Sequence, residues 1–102
     1  MNRIEYYKDL LTRSMEGHLE SLEVQVMEGD PCRYLGNIIS TTFEGMEDWE
    51  RQELVWERVY KTIGEQDRQW IEFLFTNTPA EMAAYAEAEA NEPTAEKAGN
   101  PS

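Results

Sequence analysis

The chain contains very few residues of the kinds that build catalytic and metal centres. Among its 102 residues there is one cysteine, Cys32, and one histidine, His18. A single cysteine excludes a disulfide within the chain and a metal cage built from several thiolates. The low cysteine usage is typical of proteins from reducing compartments, so we expect a cytoplasmic protein.

The two rare residues are also placed badly for nucleophilic catalysis. A catalytic cysteine needs a histidine base within hydrogen-bond reach. A turn predicted at residues 29–31 puts Cys32 and His18 near opposite ends of one strand. About ten strand residues span roughly 30 Å, which is too far for proton transfer within one subunit. We therefore do not expect an enzyme.

Basic residues and long apolar runs are scarce as well. Nine Lys and Arg stand against 21 Asp and Glu, which gives a formal net charge of -12. DNA affinity comes mostly from Lys and Arg that replace counterions, so nucleic-acid binding is disfavoured, whereas an acidic surface aids solubility and selects basic partners. No run approaches the roughly 20 apolar residues that span a bilayer, so no membrane association is expected.

What the sequence does contain predicts one small α+β domain. Apolar residues at helical spacing, alternating strands and turn residues predict the order helix, strand, strand, helix, strand, helix over residues 1–88. The strands are expected at 22–26, 33–42 and 70–75, the middle helix at 46–63, and a turn or short helix at 65–68. This order predicts a three-stranded mixed sheet with helices packed on one face. Residues 89–102 are rich in Ala, Glu, Asn and Pro and predict a disordered acidic tail.

Two helices have more specific signals. Thr78, Pro79 and Glu81 predict a capping box at the start of the last helix. In the middle helix, one face is expected to be buried, with Trp56 and Tyr60 in the core. Its members are Trp49, Gln52, Trp56, Val59, Tyr60 and Ile63, and Val55 lies beside it.

Three segments resemble the BolA-like family in order and spacing. They are Phe43-Glu44-Gly45, the run 51–55 and the run 75–81, and the resemblance extends from about Ile4 to about Tyr85. It implies a fold like the second class of KH domains. It also implies a small non-enzymatic adaptor that binds monothiol glutaredoxins in iron–sulfur or iron handling, or in redox regulation.

The resemblance suggests one metal ligand in this chain, whereas the family's second ligand is missing. BolA-like proteins are proposed to ligate a shared two-iron cluster through a cysteine or histidine in the loop before the second strand, which here is Cys32. The alternative interpretation of Cys32 is a small residue at the strand entrance. The family's second ligand is a histidine at the start of the third strand, but Trp70 stands there, and indole does not ligate iron as imidazole does.

Three hypotheses about function follow. The first is an adaptor, a monomer or weak dimer, that binds a monothiol glutaredoxin or another protein. The second is a diverged interaction module that kept the fold and lost metal ligation. In both, Trp49, Arg51 and Trp70 are the candidate interaction residues. The third and weakest is a nucleic-acid-binding regulator, because the family's Arg-His-Arg is Arg51-Gln52-Glu53 here and a basic helix is lost.

Overall fold

The helices and strands follow the predicted order. The computed structural model describes residues 2–91. It contains α1 (Arg3–Met15), β1 (Glu23–Glu28), β2 (Tyr34–Ile39), a 3-10 turn (Thr41–Phe43), α2 (Asp48–Thr62), α3 (Glu65–Arg68), β3 (Ile71–Asn77) and α4 (Pro79–Asn91). Within residues 2–91, no helix has both the length and the apolar character that crossing a bilayer requires.

The three strands form the predicted mixed sheet. β2 lies in the centre, antiparallel to β1 and parallel to β3. The pairing of β2 with β3 is irregular, because Tyr34 lies opposite Ile71 while the next residue, Leu35, lies opposite Phe73. Glu72 is the extra residue of this bulge, so Ile71 faces the core and Phe73 faces the other side of the sheet.

The core lies between one face of the sheet and the helices α1 and α2. Gly36 on β2 lets α1 approach closely, because an added Cβ would lie 2.7 Å from a methyl group of Leu74 and 3.2 Å from one of Leu11. The buried residues that form this core are Tyr7, Leu11, Met15, Leu19, Val24, Tyr34, Ile38, Phe43, Val55, Val59, Ile63, Ile71 and Leu74.

The buried face of α2 differs from the prediction. Arg51, Val55 and Val59 are buried, whereas Tyr60 is 63% exposed and its predicted place in the core is wrong. Trp56 is only partly buried. The buried residues recur every four positions, so the buried face keeps the predicted Val59 but is rotated away from Tyr60 and toward Arg51. The Tyr60 ring lies outside the core, beside Trp56 with ring centroids 5.9 Å apart and 4.4 Å from the Arg68 guanidinium, where the cation stabilises an exposed aromatic ring.

The capping box of α4 is confirmed. The Thr78 hydroxyl accepts from the Glu81 backbone N–H at 3.0 Å, and the Glu81 carboxylate accepts from the Thr78 N–H at 2.9 Å. The helix continues to Asn91, which is three residues past the predicted end of the domain at 88. The remainder of the predicted disordered tail, 92–102, lies outside the described residues.

Candidate functional site

Cys32 lies in the tight turn that joins β1 to β2. The Arg33 N–H donates to the Asp30 carbonyl at 2.8 Å, which closes a four-residue turn. Pro31 occupies the second position of this turn and Cys32 the third, where φ is +66°. A positive φ at that position is characteristic of a type II turn and usually calls for Gly or Asn. The thiol is free and exposed to solvent. The backbone of Cys32 has an unfavourable conformation for a residue with a side chain.

Trp70 lies beside this loop, at the entrance to β3. Its carbonyl accepts from the Tyr34 N–H at 2.8 Å, so the residues before β2 and before β3 meet at the same end of the sheet. The indole of this candidate interaction residue is partly buried and packs against the hydrophobic core. The place where the resemblance implies an imidazole ligand is therefore filled by a core-packing side chain.

His18 lies at the other end of β1, as the hairpin prediction requires. The segment after it is held to the end of β2, because the Glu20 N–H donates to the Thr42 hydroxyl at 2.9 Å. Six strand residues separate the two ends of β1, which is roughly 20 Å. Within residues 2–91, no group of three or more His, Cys, Asp or Glu side chains could hold a metal ion. The described residues therefore do not fit a complete metal centre, and Cys32 can supply only one ligand.

Arg51 is buried at the far end of β3 and is not an exposed contact residue. Only 7% of it is accessible. Its two terminal nitrogens donate to the Glu81 carboxylate at 2.8 and 3.1 Å, and its remaining donors reach the carbonyls of Met46 and Thr76 at 3.1 and 3.3 Å. The guanidinium therefore joins α2, β3 and α4. The sequence signal for this role is the four-residue spacing that places Arg51 in line with Val55 and Val59.

The pair also changes the ionisation of Glu81. Hydrogen bonds from the Arg51 guanidinium, followed by the Thr78 backbone N–H, hold the pKa of the Glu81 carboxyl below its ordinary value. Both groups favour the charged form of the carboxylate. The Glu81 side chain thus caps α4 and also forms an ion pair with Arg51.

The three predicted interaction residues do not share one surface. Trp49 is exposed near the start of α2, and the neighbouring Arg51 bonds to the Thr76 carbonyl near the end of β3. Trp70 lies before the first residue of β3. Trp70 and Thr76 are six positions apart along an extended strand, so the two regions are roughly 20 Å apart. Cys32 is close to Trp70 and distant from the other two.

The outer edge of β3 is covered by side chains of α2, which the sequence did not reveal. Gln52 donates to the Leu74 carbonyl at 2.8 Å and in turn accepts from the Trp56 indole N–H at 3.2 Å. Arg51 donates to the Thr76 carbonyl, two residues further along. Acceptors on this edge are therefore occupied, which hinders the addition of another strand.

The cations of α2 do not form an exposed basic patch. Arg58 is partly buried and donates to the Ser14 carbonyl at 3.3 Å, while Lys61 pairs with Glu57 at 3.1 Å. Arg51 is buried in its pair with Glu81. Of these three cations, only Lys61 is mostly exposed, and its charge is balanced by Glu57.

Comparison with known proteins identifies the fold. BolA1 from Arabidopsis thaliana superposes with a TM-score of 0.50 at 21% identity, over 79% of this chain and 96% of that chain. A bol-like protein from Babesia bovis gives a TM-score of 0.50 at 24% identity, over 78% and 92%. No protein-family model and no curated protein sequence matches the chain. The chain therefore has a BolA-like fold, as the resemblance of its segments predicts.

Proposed function

We propose, from a BolA-like fold that presents Cys32 at the meeting point of two strand entrances, that this chain is a non-enzymatic adaptor. Its partner in this proposal is a monothiol glutaredoxin or a related thiol protein, in iron–sulfur or iron handling. The supporting observation is the exposed thiol on the positive-φ position of the β1–β2 turn, next to Trp70. Glycine would adopt that backbone conformation with less strain. The presence of cysteine instead favours a role for its thiol.

The chain's contribution to a shared cluster is limited to one thiolate. Cys32 is reachable by a second protein, whereas Trp70 offers no ligand beside it. The other ligands of a shared two-iron cluster would come from the partner. The chain's own work is to bind the partner, to position the Cys32 Sγ atom and to cover one side of the site. We place this adaptor in the cytoplasm, as a monomer or weak dimer.

Trp70 favours a second candidate, an interaction module without metal ligation. Its indole contributes to the hydrophobic core instead of facing solvent beside Cys32. A protein that uses this end only for docking needs no imidazole there. Nucleic-acid binding has less support than either candidate, because Arg51, Arg58 and Lys61 are engaged within the domain.

Visible absorbance and circular dichroism of an anaerobic mixture with cluster-loaded monothiol glutaredoxin test the proposal. We expect a new spectrum with the wild-type chain, loss of that spectrum with Cys32→Ser, and an unchanged spectrum with His18→Ala at the opposite end of β1. An unaltered glutaredoxin spectrum, together with a complex detected by sedimentation, would support the metal-free module. No spectral change and no complex would contradict both candidates.

A further inference from the structure

The face of the sheet turned away from α1 and α2 carries an exposed apolar patch. Met27, Phe73 and Phe75 are 53%, 44% and 47% exposed, and Leu35 between them is partly buried. We call these four residues the open-face patch. Exposed apolar residues that cluster, rather than scatter singly, mark interaction sites on soluble proteins.

The strand register brings the open-face patch together. Met27 lies opposite Leu35, and Leu35 lies opposite Phe73, so the three form one row across the sheet. Phe75 follows Phe73 on the same face, and the two rings meet edge to face with centroids 4.8 Å apart. The bulge at Glu72 is what turns Phe73 to this face.

A groove continues from the two phenylalanines toward α4. It encloses about 440 Å³ and is bordered by Tyr85, an exposed aromatic residue of that helix. The carboxylates of Asp48 and Glu81 also line it, and the cation in its wall, Arg51, is buried and paired with Glu81. An aromatic floor with acidic borders is complementary to an apolar surface bordered by cations, since aromatic faces also attract cations.

The structure also indicates how a partner can lie here. The carbonyls of Leu74 and Thr76 on the outer edge of β3 already accept from Gln52 and Arg51. These occupied acceptors hinder the addition of a partner strand at this edge. Binding to the open face through side chains is therefore favoured, which is how an amphipathic helix binds a hydrophobic groove.

We propose that the open-face patch and the adjoining groove bind a basic amphipathic helix of a partner protein. The apolar side of that helix covers Phe73 and Phe75, and its cationic border faces the Asp48 carboxylate, because the Glu81 carboxylate is already paired with Arg51. A second copy of this chain is a poor occupant, because each copy has a formal net charge of -12. The proposal does not depend on Cys32 or on metal, so it stands or falls separately from the proposed function.

Fluorescence anisotropy with labelled model helices tests this inference. The probes are a Leu/Lys amphipathic helix of about five turns, a Leu/Glu helix of the same pattern, and a scrambled Leu/Lys peptide of identical composition. We expect the patterned Leu/Lys helix to bind wild type, and the other two to bind about tenfold more weakly or not at all. Phe75→Ser and Tyr85→Ser should each weaken binding several-fold.

Tyr60→Ser is the matched control, because Tyr60 is an equally exposed aromatic residue outside the groove lining. Its affinity for the Leu/Lys helix should equal that of wild type. Equal binding of the scrambled peptide, or equal loss in Tyr60→Ser, would show non-specific attraction and overturn the proposal. Self-association lost in Tyr85→Ser would identify a second copy as the occupant and overturn it too. The Tyr85 side chain is exposed on α4, so Tyr85→Ser is not expected to unfold the domain. A loss of binding in this variant therefore reports on the groove and not on misfolding.

Discussion

The two ends of β3 are held in very different ways. At its carboxyl end, Arg51 ties α2 and α4 to the strand through four hydrogen bonds, and Thr78 and Glu81 cap the next helix. At its amino end, the Cys32 loop is joined to Trp70 through a backbone hydrogen bond from Tyr34, and the thiol faces solvent. The carboxyl end is therefore fastened by charged and capping side chains, whereas the amino end leaves the Cys32 thiol exposed.

The largest difference between the ends should appear in Arg51→Met. The substitution leaves the Glu81 carboxylate and two backbone carbonyls without their charged donor, so we expect the free energy of unfolding to fall by about 2–3 kcal/mol. Urea denaturation monitored by circular dichroism measures it. Glu81→Gln and the double variant complete a cycle that isolates the pair. A change below about 0.5 kcal/mol would mean that the carboxyl end is not fastened by this ion pair.

Thr78→Ala should have a smaller effect at the same end. It removes the hydroxyl that accepts from the Glu81 N–H, and the loss of such a cap costs about 1 kcal/mol. Thr78→Ser keeps the acceptor and should retain most of the stability in the same urea titration. If the serine variant lost as much as the alanine variant, packing of the Thr78 methyl group would explain the result instead of capping.

The pH dependence of stability should show a smaller effect still. The pKa of Glu81 is lowered in the folded state, so its contribution is fully present above the unfolded pKa of about 4.3 and is lost as pH falls through the folded pKa. The Glu81 side chain is 38% exposed, and solvent screening reduces the effect. The stability difference between wild type and Glu81→Gln should be constant near neutral pH and shrink in acid. A difference that grew on acidification would contradict the sign of this pKa shift.

The smallest effect on stability is expected at the amino end of β3, in the Cys32 loop. Cys32→Ser alters an exposed side chain, and the free energy of unfolding should change by no more than about 0.5 kcal/mol. Cys32→Gly should be at least as stable as Cys32→Ser, because glycine adopts a positive φ without steric cost. Thermal melting of the two variants side by side provides the test, and a large loss in either would show that this loop is structural.

Sequence patterns predicted the fold well because its signals are local. The strict alternation before the turn, the β-branched run after it and the Thr78–Glu81 spacing each specify a strand or a helix start. β2 ends at Ile39, before the predicted 42, because the chain turns where the Ser40 hydroxyl accepts from the Thr42 N–H. This hydrogen bond joins residues only two positions apart. The sequence did not predict it, because the β-branched residues Thr41 and Thr42 favour a continued strand.

The tertiary placement of α2 could not be predicted in the same way. The predicted buried face includes Val59 correctly and Tyr60 wrongly, because both residues belong to one broad apolar stripe at helical spacing. The buried row contains Arg51, whose burial depends on Glu81, 30 residues away. The surroundings of Trp70 likewise depend on contacts that local patterns do not encode. The positions of Cys32 and His18 at opposite hairpin ends were predictable, because a turn between them determines the distance.

The most direct test of the adaptor is titration calorimetry of the chain with an apo monothiol glutaredoxin, in the absence of iron. We expect saturable one-to-one binding that Tyr60→Ser retains, and we expect Cys32→Ser to alter only the cluster-dependent spectrum. An absence of measurable heat at several temperatures, with both proteins sedimenting as separate species, would contradict it.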